Sequence, residues 1–350
     1  VKKKPERAGP SARGPGPPTR GLAIGQVALN HLASGRRLRE WYRDGLGLLP
    51  SGGSLFVGPP ASKVNGLPFP LFPARWLLDG REWFQLELFR FHHPRPQPRR
   101  PDETAADHGY RRVGFHVDDL DAALARLARL GSEPIGPVLG EAPRRRACLR
   151  DPDGNWIELM EADPIADREP AKERPAVPAT VRSVTISVAD LDLAAAAWTE
   201  GVGLRPMELE LHSPEHEALW GLDGAERQGI VLDGGGVLVE LVAYEQPPGR
   251  PRPDDYRICD QGIMNVAFVA RSREAFDRTF ERWVERGLQP TKPSPLEVGI
   301  FRVMYFELPS GHNVELLYPR RWAWRLTGFA PAELGQKVGK LLSKARRSGK

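Results

Sequence analysis

Cysteine is nearly absent from this 350-residue chain, which has only Cys148 and Cys259. Two are too few for a disulfide framework and too isolated for a zinc cluster, so a reducing compartment, the cytoplasm, is expected. Long apolar runs are missing too. No stretch approaches the roughly 18 apolar residues of a membrane span, which argues against a helical membrane protein. The first residues, VKKKPERAGPSARGPGPPTR, are basic without an apolar core and do not read as a secretory signal. Aromatic residues make up only 8% and hydrophobic residues 40%, which fits a soluble globular chain long enough for two or three domains.

Net positive charge is missing between the ends. Residues 1–20 carry a net +5 and residues 320–350 a net +8, so a total of +5 leaves about −8 in the body. The composition of residues 1–21 predicts a disordered basic arm. Beyond residue 320, Leu334, Val338, Leu341 and Leu342 share one helical face, with Lys337, Lys340 and Lys344 outside it. This basic helix is expected to dock on the acidic body, with weak association to an anionic membrane or nucleic acid as the alternative. Gly335 and Gly339 weaken it, and no nucleic-acid fold accompanies it.

What the chain has is repetition. Four segments share a strand, a polar break, an amphipathic helix and a glycine near the helix end; they begin at Ile24, Arg111, Arg182 and Ile263. Asp118-Asp119 and Asp190 stand where N-caps are needed, and Gly45, Gly131, Gly201 and Gly287 are placed as C-caps. Each unit closes with a strand containing one glutamate: FQLELF (Glu87), NWIELM (Glu158), VLVELV (Glu240) and NVELLY (Glu315). Turn signals introduce them at Asp79-Gly80, Asp153-Gly154, Asp233 to Gly236 and Ser310-Gly311. In the second unit, alternation sets Trp156, Glu158 and Met160 on one face and Ile157 and Leu159 on the other.

Four βαβββ units of this kind resemble the vicinal oxygen chelate superfamily, which includes glyoxalase I, bleomycin-resistance proteins, epimerases and extradiol dioxygenases. The resemblance implies an α+β fold in which units pair into two open, cupped barrels. Pairing units in chain order gives a first domain at residues 22–163, a Pro-rich linker at 164–180 and a second domain at 181–319, followed by the basic tail at 320–350.

In this superfamily each cup is fed by one position from the first strand and one from the last strand of each unit, often around a divalent metal. The resemblance then gives the first cup Gln26, Glu87, Arg112 and Glu158, and the second Ser183, Glu240, Asn265 and Glu315. Glyoxalase I has Gln, Glu, His and Glu in these places, so Arg112 departs from the pattern. A guanidinium offers no lone pair to a metal. Either Gln26, Glu87 and Glu158 hold Zn, Ni, Mn or Fe while Arg112 swings aside, or Arg112 replaces the metal by pairing with the glutamates or clamping an anionic group. The first-strand positions Gln26, Arg112, Ser183 and Asn265 include no histidine, which argues against the iron triad of the dioxygenases.

His116, further along the same face as Arg112, is read as a pocket-rim residue. His92-His93 sits in a proline-rich stretch, and Pro214 argues against the helix that would align His212 with His216. The long apolar connection Pro50 to Gly80 is either a lid over the cup or a packing arm.

Two functions follow from the resemblance. One is a lyase, isomerase or dioxygenase-like enzyme on a small oxygenated or aromatic metabolite, with Glu158 or Glu87 as general base and Arg112 or a metal stabilising charge. The other is a metal-free small-molecule binder of bleomycin-resistance type. His116, Ser183, Glu240, Asn265 and Glu315 are the expected substrate-contacting residues. No nucleotide cofactor, nucleic-acid partner or transmembrane segment is expected; a small-molecule ligand and a homodimer are.

Overall fold

A computed structural model of the protein describes residues 22–167 and 177–329. The basic arm, the middle of the expected linker and the basic helix expected from Pro331 lie outside the described residues. Among the described residues no helix is long and apolar enough to cross a membrane.

The four repeats are four strand-rich units. The first comprises Ala23–Asn30 (β1), a helix Gly35–Glu40 (α1) that widens into a π-turn over Trp41–Gly45, Leu49–Val57 (β2), Gly58–Asn65 (α2), Leu71–Leu78 (β3) and Gln85–Phe89 (β4). The second has Gly109–Val117 (β5), Leu120–Ala128 (α3), Arg146–Arg150 (β6) and Trp156–Met160 (β7). The third has Ala179–Ser187 (β8), Leu191–Ala196 (α4), Arg205–Pro206 (β9), a 3₁₀ helix Pro214–Trp220, Glu226–Asp233 (β10) and Leu238–Gln246 (β11). The fourth has Gly262–Val269 (β12), Arg273–Glu285 (α5), Gln289–Pro290 (β13), Leu296–Val298 (β14), Phe301–Glu307 (β15) and Asn313–Pro319 (β16).

Local chemistry accounts for the helix starts. Asp119, Asp190 and Ser272 each accept a hydrogen bond from the backbone amide three residues on. The helix ends divide the four glycines. Gly131 and Gly287 adopt positive φ, whereas the first and third helices run through Gly45 and Gly201 and turn at Gly47 and Gly203 instead. Gly45 and Gly201 are required by packing: a Cβ would stand 2.3 Å from Leu127 Cδ2 at the one and 2.7 Å from Leu288 Cδ2 at the other.

The units do not pair in chain order. One sheet runs β2-β3-β4-β1-β12-β16-β15-β13, with β14 on β15, and the other runs β6-β7-β5-β8-β11-β10-β9. The first unit therefore shares a sheet with the fourth, through antiparallel β1 and β12, and the second with the third, through β5 and β8. This corrects the division into 22–163 and 181–319. The segment after β7 joins two units of one sheet, and Ala179 and Thr180 already belong to β8.

The physical reason is that all four opening strands are buried along nearly their whole length, so their apolar patterns do not choose a partner. The two connections that cross between the sheets, 90–108 and 247–261, add contacts specific to this pairing. They bind each other: His108 N donates to Arg250 O at 2.9 Å, Gln261 N to Gln97 O at 3.0 Å, and Arg250 makes three bonds to Asp107, from its backbone N at 3.0 Å, Nε at 2.9 Å and Nη2 at 2.7 Å. Burial works against the Asp107 anion, but Arg250 and backbone amides hold its carboxyl down at about 2.

The helices pair the other way. Trp41 Nε1 donates to Ser132 Oγ at 2.7 Å and Tyr42 Oη to Asp151 at 2.8 Å, tying the first unit to the second. Trp283 Nε1 donates to Val202 O at 3.0 Å, tying the fourth to the third. One continuous core, including Trp41, Leu127, Trp198, Trp283, Phe115 and Phe268, runs through all four units.

A fragment spanning 22–163 would leave β1 and β5 as long, unpaired apolar edges. It is expected to aggregate or to lack a cooperative urea transition in far-UV circular dichroism, whereas the full chain unfolds cooperatively. A monomeric, cooperatively folding fragment would contradict the pairing.

Candidate functional site

Each cup receives two inward glutamates, and their surroundings differ. In the cup of the second and third units, Arg112, Glu158, Ser183 and Glu240 meet, each at most 2% exposed. His212, also 2% exposed, lies between the two carboxylates, with Nδ1 2.8 Å from Glu240 Oε1 and Nε2 2.8 Å from Glu158 Oε2. With both ring nitrogens against carboxylates, the ring is an imidazolium donating twice. Burial opposes that charge, but Glu158 and Glu240 outweigh it and raise the His212 pKa above its ordinary value.

Arg112 completes the packing. It lies 3.7 Å above the Trp220 ring and donates to Glu240 Oε2 and to Tyr244 Oη, both at 3.1 Å. Arg146 Nη1 donates to Glu158 Oε1 at 2.7 Å, and Thr185 Oγ1 to Glu240 Oε2 at 2.8 Å. Burial would push both carboxyls up. His212 and Arg146 instead hold Glu158 at about 2, and His212 and Arg112 hold Glu240 far below the carboxylate range. The donor set does not fit a metal ion, because an imidazolium and a guanidinium occupy the carboxylates. Ser183 packs beside Gly114, where a Cβ would stand 2.1 Å from Ser183 Oγ. His116 is half-buried toward the far end of β5, its pKa lowered by burial.

His212 reaches the cup because Pro214 starts a helix instead of breaking one. It occupies the first turn of the 3₁₀ helix, whose start is capped by Ser213 and His216, and His212 precedes it. The Ser-Pro pair ahead of an acidic turn is the signal that sequence reasoning passed over. Trp220, Tyr244 and Glu217, which accepts from Tyr244 Oη at 2.8 Å and Trp220 Nε1 at 2.6 Å, were also missed. His92 and His93 are exposed and stand apart from both cups.

The other cup joins Gln26 and Glu87 to Asn265 and Glu315, so the two expected ligand sets are redistributed. Glu158 and Arg112 do not stand with Gln26 and Glu87, and Asn265 and Glu315 do not stand with Ser183 and Glu240. Opposite each glutamate on the neighbouring strand is a polar aromatic residue: Trp76 faces Glu87 and Tyr305 faces Glu315. Trp76 Nε1 donates to Glu87 Oε1 at 2.8 Å, and Asn265 Nδ2 to Glu315 Oε2 at 3.1 Å. Asn265 Oδ1 is buried without a hydrogen-bond partner. Gln26 Nε2 donates to Gln85 Oε1 at 2.7 Å, leaving its carbonyl oxygen for the cup.

Here no cation balances the carboxylates. Burial, aided by the neighbouring Glu315 charge and only partly offset by Trp76, raises the Glu87 pKa to about 8. Burial raises Glu315 to about 7 against hydrogen bonds from Asn265 and Tyr305. Near neutrality Glu87 therefore keeps its proton while Glu315 is close to its midpoint. Above them is a partly open pocket with Phe56, Phe72, Phe89 and Phe301 in its wall and Ala61, Val64 and Asn65 of α2 over it. The connection Pro50 to Gly80 thus covers a cup as β2, α2 and β3. Arg320 to Phe329 docks beneath it: Phe329 stacks on Trp83 at 5.9 Å, and Thr327 O accepts from Ser51 Oγ at 3.0 Å. Among the described residues no three His, Cys, Asp or Glu are grouped to hold a metal ion.

Residues 35–159 match the model of the Glyoxalase/Bleomycin resistance protein/Dioxygenase superfamily. Uncharacterized protein YaeR of Escherichia coli strain K12 is 34% identical over 82 residues, which span 22% of this chain and 58% of YaeR. Among solved structures, a proposed dioxygenase of Bacillus subtilis subsp. subtilis strain 168 superposes with a TM-score of 0.58 at 12% identity, over 94% of this chain and 95% of that one. Glyoxalase I of Zea mays superposes with a TM-score of 0.54 at 16% identity, over 85% and 92%. At these identities the likeness to the solved structures is one of fold.

The His212 layer has a signed pH dependence. A raised histidine pKa contributes stability fully below the unfolded value of 6.5 and loses it as pH rises through the folded value. A lowered Glu158 contributes fully above 4.5 and loses it as pH falls toward about 2. Urea midpoints are expected to fall on raising pH from 6 to 9. His212→Ala, which leaves two facing buried carboxylates, should cost about 3–5 kcal/mol at pH 6 and make that alkaline limb shallower, the remainder belonging to Glu87 and Glu315, whose raised carboxyls also lose stability as pH rises. An unchanged limb would assign the pH dependence elsewhere.

Proposed function

We propose, for a chain whose residues 35–159 match the Glyoxalase/Bleomycin resistance protein/Dioxygenase superfamily, that the cup of the first and fourth units is the working site. It takes a small aromatic or otherwise apolar metabolite bearing an oxygen function and moves a proton on it, in a lyase or isomerase type of reaction. The carrying observation is the Glu87 and Glu315 pair, with pKa values near 8 and 7, at the floor of an aromatic-walled cavity.

The two carboxyls take different parts. Glu315 accepts from Asn265 and Tyr305 and ionises first, so it is the base. Glu87, with Trp76 as its one donor, keeps the proton and is the acid. The aromatic wall and α2 exclude water and orient a flat substrate. Glu158, held ionised and bonded to His212 and Arg146, has no part in the transfer.

A divalent metal also fits this cup by donor chemistry, with Glu87 ionised as a ligand in place of its part as acid. Glu87, Glu315, the Gln26 carbonyl and the unpartnered Asn265 Oδ1 are all oxygen donors, which suits Mn²⁺ or Mg²⁺ better than Zn²⁺, Ni²⁺ or Fe²⁺. Their order, Gln, Glu, Asn, Glu, differs from the glyoxalase I pattern only at Asn265, which unlike arginine can ligate. A bound cation would polarise the substrate oxygen and stabilise enolate charge.

Metal-free binding of bleomycin-resistance type is the second reading. It is favoured by the aromatic wall and the proton kept on Glu87, which together suit holding a ligand without turning it over.

Hydrogen–deuterium exchange of a panel of α-hydroxy and α-keto carbonyl compounds, followed by NMR, separates the two readings. The enzyme reading predicts catalysed exchange that falls about 10²- to 10⁴-fold in Glu315→Gln or Glu87→Gln. Saturable binding with no exchange across the panel would favour the binder. Calorimetric titration with Mn²⁺ should show affinity rising through pH 7 to 8 as the pair loses its proton. Affinity that is flat with pH, or unchanged in Glu315→Gln, would remove the metal from this cup.

A further inference from the structure

The crossing connections also line a cleft, distinct from both cups, whose wall includes Arg99, Arg100, Arg111, Arg252, Tyr110 and Tyr256. Its charges do not balance. Arg99 and Arg111 share a single carboxylate, Glu103, at 2.7 Å and by a short contact respectively. The other two acids of the wall are taken from behind, Asp107 by Arg250 and Asp260 by Arg257. Arg100 and Arg252 have no carboxylate partner among the described residues. With their partners counted, Arg99, Arg100, Arg111, Arg250, Arg252 and Arg257 face Asp102, Glu103, Asp107 and Asp260, an excess of two positive charges.

The backbone is shaped around these guanidiniums. β5 and β12 open at Gly109 and Gly262 with φ of +134° and +138°, a region that favours glycine. A Cβ at Gly109 would stand 2.9 Å from Arg111 Nη2 and 3.1 Å from Arg252 Nε, and one at Gly262 3.4 Å from Arg99 Nη2. Arg111 is 7% exposed, and the Nε atoms of Arg99 and Arg111 are buried without a partner. Arg252 lies 4.5 Å above the Tyr256 ring, which makes one wall flat and cationic. The burial of Arg111, with Arg99 and Arg252 close by, lowers its pKa, and His312 is held neutral by its burial beside Arg252 and Arg111. Clustered, partly desolvated guanidiniums of this kind are stabilised by an oxyanion that accepts from several at once.

We propose that the cleft between the crossing connections is an anion site that takes a phosphate group, free or as a small aromatic ester, with Arg100, Arg111 and Arg252 as its donors. Bound there, the dianion supplies the charge the fold leaves unmatched and ties 90–108 to 247–261. The site lies at the start of β12, three residues before Asn265 of the working cup.

The test is calorimetric titration of the full chain with inorganic phosphate and with phenyl phosphate, against chloride at matched ionic strength. Saturable binding with one site per chain is expected, weakened about tenfold or more in Arg100→Gln and Arg252→Gln while their circular dichroism and urea midpoints match the parent. Equal affinity for the two probes identifies free phosphate; tighter binding of phenyl phosphate identifies an ester. No saturable binding of either probe beyond chloride, or parent-like affinity in both variants, overturns the proposal and leaves the arginines as struts between the connections.

Discussion

The antiparallel junctions of β1 with β12 and of β5 with β8 are the constraint on which the rest of the molecule depends. They pair the first unit with the fourth and the second with the third, while the helices pair first with second and third with fourth through Trp41, Tyr42 and Trp283. Neither half of the chain can complete both kinds of contact alone. The arrangement also decides the chemistry, since it sets which two glutamates face each other in each cup.

The cups share a backbone plan and differ in two local choices. Opposite Glu87 and Glu315 stand Trp76 and Tyr305, which offer hydrogen bonds without charge; opposite Glu158 and Glu240 stand Cys148 and Val231. The first and third units each carry an insertion between their second and third strands. In the first it is α2, whose apolar side chains cover the cup and leave a cavity. In the third it leads through His212 into the 3₁₀ helix, which fills the cup with an imidazolium and stacks Trp220 under Arg112. One cup is therefore locked by matched charge. The other keeps two carboxyls poised near neutral pH.

Much of this was legible from the residues. The four units, their caps at Asp119 and Asp190, the four glutamate strands and the alternation that points Glu158 inward all follow from periodicity and turn chemistry. The partner of each unit was not legible, because β1, β5, β8 and β12 are all buried along nearly their whole length and contacts specific to the pairing, such as Arg250 with Asp107, link distant loops. The same limit misassigned Arg112 and Glu158 to the cup of Gln26 and Glu87. Gly45 and Gly201 looked like caps because glycine at a helix end is ambiguous between positive φ and close packing. His212 was discounted because Pro214 was read as a breaker when it is a helix start.

The most direct test of the account is a carbon-13 NMR titration of the glutamate carboxyls in the full chain, assigned with Glu87→Gln, Glu315→Gln, Glu158→Gln and Glu240→Gln. The account predicts two carboxyls titrating near 7 and 8 that are lost with Glu87 and Glu315, while Glu158 and Glu240 stay ionised down to about 2 or below. Four carboxyls titrating near the ordinary 4.5, or an elevated pair that disappears with Glu158 or Glu240, would contradict it.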